Sequence, residues 1–167
     1  MTSIILSILT VLLMLFPNST RLQVESRKRI LARDFTGENI VRIINERDND
    51  ALEELMCGNI KQNMSDLSDK IEELFDIIDG EIIDFKWETF SGYYENHANG
   101  KSISQKDYRL DFSTATGSYR IRGIMEYFNS FQPKEMGIRS ITLRDDPSAS
   151  EWVVQIRATN GVGEWHE

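Results

Sequence analysis

The chain has 167 residues, of which 40% are hydrophobic, and a formal net charge of −8. This length is typical of a single domain, and the apolar content is enough to bury a core. The acidic balance argues against DNA or RNA as a partner, because nucleic-acid-binding domains are usually basic or carry a basic stripe. The one cysteine, Cys57, excludes an internal disulfide, and its apolar helical context predicts a small buried side chain rather than a reactive thiol.

The N-terminus holds an apolar run at residues 4–16, with the sequence IILSILTVLLMLF, that ends at Pro17. The run is shorter than the roughly 20 residues of a membrane-spanning helix and matches the apolar region of a signal peptide. Residues 1–20 are therefore expected to be an apolar leader or membrane anchor. The alternatives are a buried N-terminal helix or part of a longer leader.

A basic segment follows this run. Residues 21–33 hold five positive charges and one negative charge, so the rest of the chain carries −12, the difference between −8 and +4. Such a segment suits an anionic lipid surface. It equally fits the solvated face of a helix over 23–33, with Val24, Ile30 and Leu31 packed inward.

Three helices are predicted between residues 36 and 79. Thr36 is the expected N-cap of the first helix, and Asp48 or Asn49 caps a short second helix that stops at Gly58. The third helix opens at Ser65, and its apolar residues share one face at helical spacing: Leu67, Ile71, Leu74, Phe75 and Ile78. We expect this face to pack against a sheet.

Beyond Gly80 the apolar period changes from 3.6 to 2, which predicts an antiparallel sheet and an α+β fold class. In the first strand, 81–90, the side chains of Phe85 and Trp87 share one face and Asp84 takes the other. Asn99-Gly100 predicts a type I′ hairpin turn. Four further strands are predicted near 108–112, 119–127, 139–144 and 152–156.

The segments that carry a family resemblance are structural motifs rather than catalytic ones. They are the DNDAL step at 48–52, the stretch 67–84 with SDKIEELFDIIDGEIID, the YRL strand at 108–110 and KEMGI at 134–138. Three helices followed by an antiparallel sheet resemble the nuclear transport factor 2-like cone fold. Over roughly 36–158 the chain is also similar to a bacterial family known as a domain of unknown function, whose members are often exported or lipid-anchored.

The resemblance implies N-terminal helices packed on a curved antiparallel sheet, with a pocket at the open end of the cone. It also implies an exported or membrane-attached protein of the bacterial cell envelope, although this chain lacks the acylated cysteine of lipid-anchored relatives. The chain then divides into an apolar leader (1–20), a basic linker or helix (21–35) and a cone-fold domain (36–167).

Enzymes of this fold hold an acid or base inside the cone, and the candidates here are Asp84, Asp111 and His97. Alternation directs Asp84 and Asp111 to the outer face of the sheet, and His97 falls in a polar hairpin. The other histidine, His166, lies in the tail, so no Ser-His-Asp arrangement or metal-ligand spacing can be assembled. The sequence therefore predicts no catalytic residue, no metal and no cofactor.

Aromatic residues at strand spacing are the candidate lining of an apolar pocket: Phe85, Trp87, Tyr108, Tyr119 and Tyr127. The alternative is that these residues are ordinary core. Arg120 and Arg122 alternate with them and fit either an anion site or a solvated outer face.

The leading hypothesis is an exported or membrane-associated, non-catalytic domain that binds a protein or a small apolar molecule. The alternatives are an isomerase- or dehydratase-like enzyme using a buried carboxylate, and a cytoplasmic interaction or immunity-type module.

Overall fold

The computed structural model describes residues 20–98 and 101–158, and the side chains of these residues except 91–98 and 101. The apolar run at 4–16, the Asn99-Gly100 turn and His166 lie outside the described residues. Helix α1 covers residues 20–34, and four helices follow it: α2 (Gly37–Glu46), α3 (Asn49–Leu55), α4 (Gly58–Asn63) and α5 (Leu67–Ile77). Within the described ranges, no helix is both long and apolar enough to cross a membrane.

The strands follow the helices in sequence and form one antiparallel sheet in the order β1-β2-β3-β4-β5. Their bounds are β1 (Asp84–Ala98), β2 (Lys101–Ser113), β3 (Ser118–Asn129), β4 (Gly137–Arg144) and β5 (Val154–Arg157). The predicted α+β class, with helices before an antiparallel sheet, is confirmed. The first two strands are longer than predicted, because the pairing of β1 with β2 continues through the polar residues to Ala98 and Lys101.

The helices and the sheet share one hydrophobic core. Helix α5 packs against α3 and β5, and α2 packs against α3 and β1. The predicted apolar face of α5 is buried, with Ile71, Leu74 and Phe75 at most 3% exposed. The space between Leu74 and the sheet residues Tyr108 and Ile121 holds a cavity of only about 10 Å³, which is no more than one water needs. Side chains therefore fill the described interior between α5 and the sheet.

The helical layer is attached to the sheet through backbone contacts at the end of α3. Met56 forms a parallel bridge with Ile138 of β4, and the Cys57 N–H donates to the Ile138 carbonyl at 2.9 Å. Gly137 permits this approach, since a Cβ there would lie 2.6 Å from the Leu55 carbonyl oxygen, and its φ of +145° favours glycine. Cys57 is buried as predicted, and its burial raises the pKa of the thiol.

Two helix caps follow the sequence. Thr36 Oγ1 accepts from the Asn39 N–H at 3.2 Å, and Asp48 Oδ1 accepts from the Ala51 N–H at 3.0 Å, as predicted. The third predicted helix begins later than expected, at Leu67, with Asp66 rather than Ser65 at the N-cap position. Helix α3 ends at Leu55, before the predicted stop at Gly58, but a new helix begins at Gly58. Its free N–H groups find a distant acceptor: Glu135 Oε2 accepts from the Asn59 N–H at 2.8 Å.

Candidate functional site

Helix α1 lies beside strands β1, β2 and β3 and leaves an open cleft between itself and the sheet. The cleft, which we term the α1 cleft, has a volume of about 450 Å³, within the range of small-molecule sites. Its apolar lining comes from both sides: Leu31, Ala32, Phe35, Met125 and Tyr127. Its polar lining is Glu25, Lys28, Arg29, Thr89 and Lys106.

An aromatic cluster supports the floor of the α1 cleft. The ring of Phe35 meets Trp87 and Tyr108 edge-on, at centroid distances of 5.2 and 5.1 Å, and the latter two rings stack at 5.5 Å. Burial raises the pKa of Tyr108, which keeps its hydroxyl protonated, and this hydroxyl donates to the Ser140 carbonyl at 2.9 Å. Gly123 makes room, since a Cβ there would lie 2.4 Å from the Tyr108 oxygen. The floor therefore rests on closely packed aromatic rings.

Two β-bulges lie in the strands beside the cleft. Tyr127 of β3 has no pairing partner on β2, and Arg139 of β4 has none on β3. Met125 and Tyr127, two residues apart, nevertheless both line the cleft, as alternation predicts. Glu126 between them is buried at 1% exposure.

Glu126 is held by three donors. Its Oε2 accepts from Gln105 Nε2 at 2.9 Å and from Arg139 Nη1 at 3.0 Å, and its Oε1 accepts from Asn129 Nδ2 at 2.6 Å. Asn129 Oδ1 in turn accepts from two backbone N–H groups of the following turn. Both carboxylate oxygens are thus engaged within the protein. Period-two alternation gave no signal for this buried network, because two of its donors come from other strands.

Positive side chains surround the apolar floor. Lys28 Nζ lies 5.4 Å from the ring centroid of Phe128, and Lys106 Nζ lies 4.9 Å from that of Tyr127, distances typical of cation–π contacts. Among the described residues, neither lysine forms a salt bridge with a carboxylate. Arg29 forms none either, and the one carboxylate in the lining, Glu25, is exposed.

A second cleft, of about 670 Å³, lies along another side of α1, where Gln23, Ser26 and Arg27 face the turn at 131–134. Arg27, one of the two basic side chains that line this cleft, is already engaged. Arg27 Nε donates to the Met136 carbonyl at 3.0 Å, and Nη2 donates to the Glu54 carbonyl at 3.0 Å. Arg27 therefore fastens α1 to the body of the domain and leaves the α1 cleft as the better candidate.

The five predicted pocket residues fall into two groups, three at or beneath the α1 cleft and two away from it. Tyr127 lines the α1 cleft, and Trp87 and Tyr108 lie in the aromatic cluster beneath it. Phe85 packs beside Gly37 at the start of α2, and Tyr119 stacks on Phe112 at 5.3 Å. The sequence missed Phe35, Lys28 and Lys106, although the basic segment already contained Lys28.

The predicted catalytic candidates do not meet at the cleft. Asp84 is exposed, and Asp111 lies on the outer face, where its Oδ1 is 2.5 Å from Arg120 Nε. Arg120 also donates to the Pro147 carbonyl at 3.0 Å. His97 belongs to β1, but its side chain lies outside the description. On the same outer face, burial raises the pKa of Asp107. No group of three or more potential metal ligands occurs in the described part of the chain.

A known family matches most of the domain. Residues 39–151 match the model of a family described as Domain of unknown function (DUF5104). Among curated proteins, the chain has no match. The family match includes the strand residues of the α1 cleft, such as Thr89 and Lys106, and begins after α1. The cleft therefore forms between the matched region and the helix that precedes it.

Proposed function

The chain belongs to the DUF5104 family, whose description assigns no activity, and we propose that it is a non-catalytic domain that binds a small apolar molecule in the α1 cleft. One observation carries the proposal: the space between α5 and the sheet is filled, whereas an open cleft with an apolar floor lies beside α1. Concave sites with apolar walls and a few polar groups are the usual form of small-molecule sites. A closely packed aromatic floor lowers the entropy lost on binding.

The carboxylates argue for binding rather than proton transfer. A general base must lie within hydrogen-bond reach of its substrate. Glu126 is buried, but three donors occupy its oxygens and it is not part of the lining of either cleft. Glu25 is in the lining, but it is exposed to solvent. These positions favour the binding domain over the isomerase- or dehydratase-like alternative.

The proposal also covers the cellular location of the protein and a more specific fold than α+β. The order of helices and strands supports a nuclear transport factor 2-like cone, with the α1 cleft at its open end. The apolar run at 4–16 supports export or membrane attachment in a bacterial cell envelope. We expect the full chain in the envelope fraction after cell lysis, and its recovery in the cytoplasmic fraction would contradict this part of the proposal.

Binding is tested with N-phenyl-1-naphthylamine, an uncharged probe whose fluorescence rises in an apolar site. The full chain should bind the probe, and Ala32→Trp should abolish that binding, because a large side chain at this exposed position fills the α1 cleft. Gln23→Trp is the matched control, since it adds the same side chain to the second cleft and should leave binding unchanged. Equal binding by the wild type and Ala32→Trp would refute the assignment of the site.

A further inference from the structure

Three cations without a carboxylate partner gather at the α1 cleft. Ten basic side chains of this acidic protein lie within 4 Å of a carboxylate: Arg27, Arg33, Arg42, Arg47, Lys61, Lys70, Lys86, Arg109, Arg120 and Arg139. Lys28, Arg29 and Lys106 have no such partner among the described residues, and all three line the same cleft. Arg21, Lys134 and Arg144 have none in the described part of the chain either, but they do not share a cleft, and of these only Lys134 lines either cleft, the second one. Three positive groups at the α1 cleft face one exposed carboxylate, Glu25.

These cations come from both walls of the cleft. Lys28 and Arg29 belong to α1, and Lys106 belongs to β2. The two ammonium groups lie against aromatic rings, where the ring faces favour a positive charge but leave its hydrogen-bond donors available. The apolar floor lies between these walls. An anion placed at the rim would therefore offset the repulsion among like charges while its apolar part covers the floor.

From this arrangement we propose that the ligand of the α1 cleft is an amphiphile with one anionic head group and an apolar body. The inference rests on the binding function proposed above and adds the charge of the ligand. Carboxylate, sulfonate and phosphate monoester heads share the required chemistry, since each accepts charge-assisted hydrogen bonds from ammonium and guanidinium donors. The ligand is taken as a free molecule, because the floor is the bottom of a cleft of limited volume rather than an extended surface.

Two probes with the same aromatic body separate this inference from the proposed function. 8-Anilino-1-naphthalenesulfonate carries an anionic group that N-phenyl-1-naphthylamine lacks. The full chain should bind the sulfonate probe at least about ten-fold more tightly than the uncharged probe. Added salt should weaken binding of the sulfonate probe only. If the uncharged probe binds in the cleft and the sulfonate binds no better, this inference fails and the proposed function stands. If Ala32→Trp leaves the binding of both probes unchanged, the proposed function fails.

Charge-removing variants test the named residues. Lys28→Gln and Lys106→Gln should each weaken sulfonate binding by roughly three- to ten-fold, and by a larger factor than they weaken binding of the uncharged probe. Lys28→Arg should retain binding of the sulfonate. Lys134→Gln is the matched control, because Lys134 is an exposed lysine that lines the second cleft. Equal losses for Lys134→Gln and the two cleft variants would overturn the inference.

The source of the anionic head is tested by competition. Decanoate should displace the sulfonate probe from the full chain, whereas decanol, with the same tail and no charge, should do so poorly. Vesicles of phosphatidylglycerol should not compete at the same lipid concentration. Displacement by the vesicles but not by decanoate would overturn the proposal of a free amphiphile and favour a bilayer surface.

Discussion

Glu126 shows how a single side chain organises the end of the sheet beside the cleft. Its carboxylate joins β2, β3 and β4 through Gln105, Asn129 and Arg139. A buried charge is costly unless it is paired and fully hydrogen-bonded. The network satisfies this requirement, and Asn129 extends it to the turn that follows β3. Met125 and Tyr127, its neighbours in sequence, are thereby fixed in the lining of the α1 cleft.

Glu126→Leu should destabilise the protein by about 3–5 kcal/mol, because Arg139 loses its buried carboxylate partner. The double variant Glu126→Leu/Arg139→Leu should recover much of this loss, since it removes both charges together. Urea unfolding followed by circular dichroism measures the free energies. A single-variant cost below about 1 kcal/mol would mean that the pair behaves as an exposed surface ion pair.

Capping residues in the sequence predicted the helix caps correctly where the capping contact joins residues close in sequence. The capping residues Thr36 and Asp48 bond to N–H groups three residues away, so the sequence order already contained both partners. Glu126 was not predicted, because its partners Gln105 and Arg139 come from other strands, which a pattern along β3 alone does not show. Tyr127 was predicted as pocket lining from alternation, and it lines the cleft two residues after Met125, on the same face of β3.

Among the elements, α1 depends most on specific attachments. Val24 and Leu31 bury its apolar side, and Arg27 ties its middle to the end of α3 by donating to the carbonyls of Glu54 and Met56. These carbonyls lie at a helix C-terminus, where acceptors lack partners within the helix and a positive charge is favourable. The position of α1, and hence the width of the α1 cleft, therefore depends on one arginine.

Arg27→Ala should loosen α1 selectively. We expect amide hydrogen exchange to become faster throughout α1 while the central strands keep their protection, because local opening of α1 does not require the sheet to unfold. Arg33→Ala is the matched control, since Arg33 is exposed and its one ion pair among the described residues is with its neighbour Asp34. Faster exchange in the sheet and α1 to the same extent would show that Arg27 stabilises the whole domain rather than the position of the helix.

The boundaries of helices and strands differ from the predicted ones where residues distant in sequence supply hydrogen-bond partners. Gly58 carries the usual signal for a helix stop, but Glu135 from beyond the third strand accepts from the Asn59 N–H and helps a new helix to begin. The strands β1 and β2 continue through polar residues because they pair with each other. The change of apolar period at Gly80 predicted the α+β class correctly, since it reflects burial along each element rather than contacts between them.

At the scale of the whole molecule, the described residues share one apolar core. Its buried apolar residues extend from Val24 on α1 to Ile156 on β5 and form one cluster. Arg27 fixes α1, the first helix of the described residues. The apolar run at 4–16 ends at Pro17, which disfavours a helix continuing through it. We therefore expect the run to serve attachment or export and to contribute little to folding.

Deleting residues 1–19 should leave the melting temperature of the domain nearly unchanged and move the protein from the envelope fraction to the soluble fraction. Deleting residues 1–34 is the control, because it also removes α1 with Val24 and Leu31, whose burial contributes roughly 3–6 kcal/mol in total. That longer deletion should lower the melting temperature and abolish binding of both probes, whereas the shorter one should preserve binding. A large fall in melting temperature on deleting residues 1–19 would instead assign residues 4–16 to the folded core, as a buried N-terminal helix.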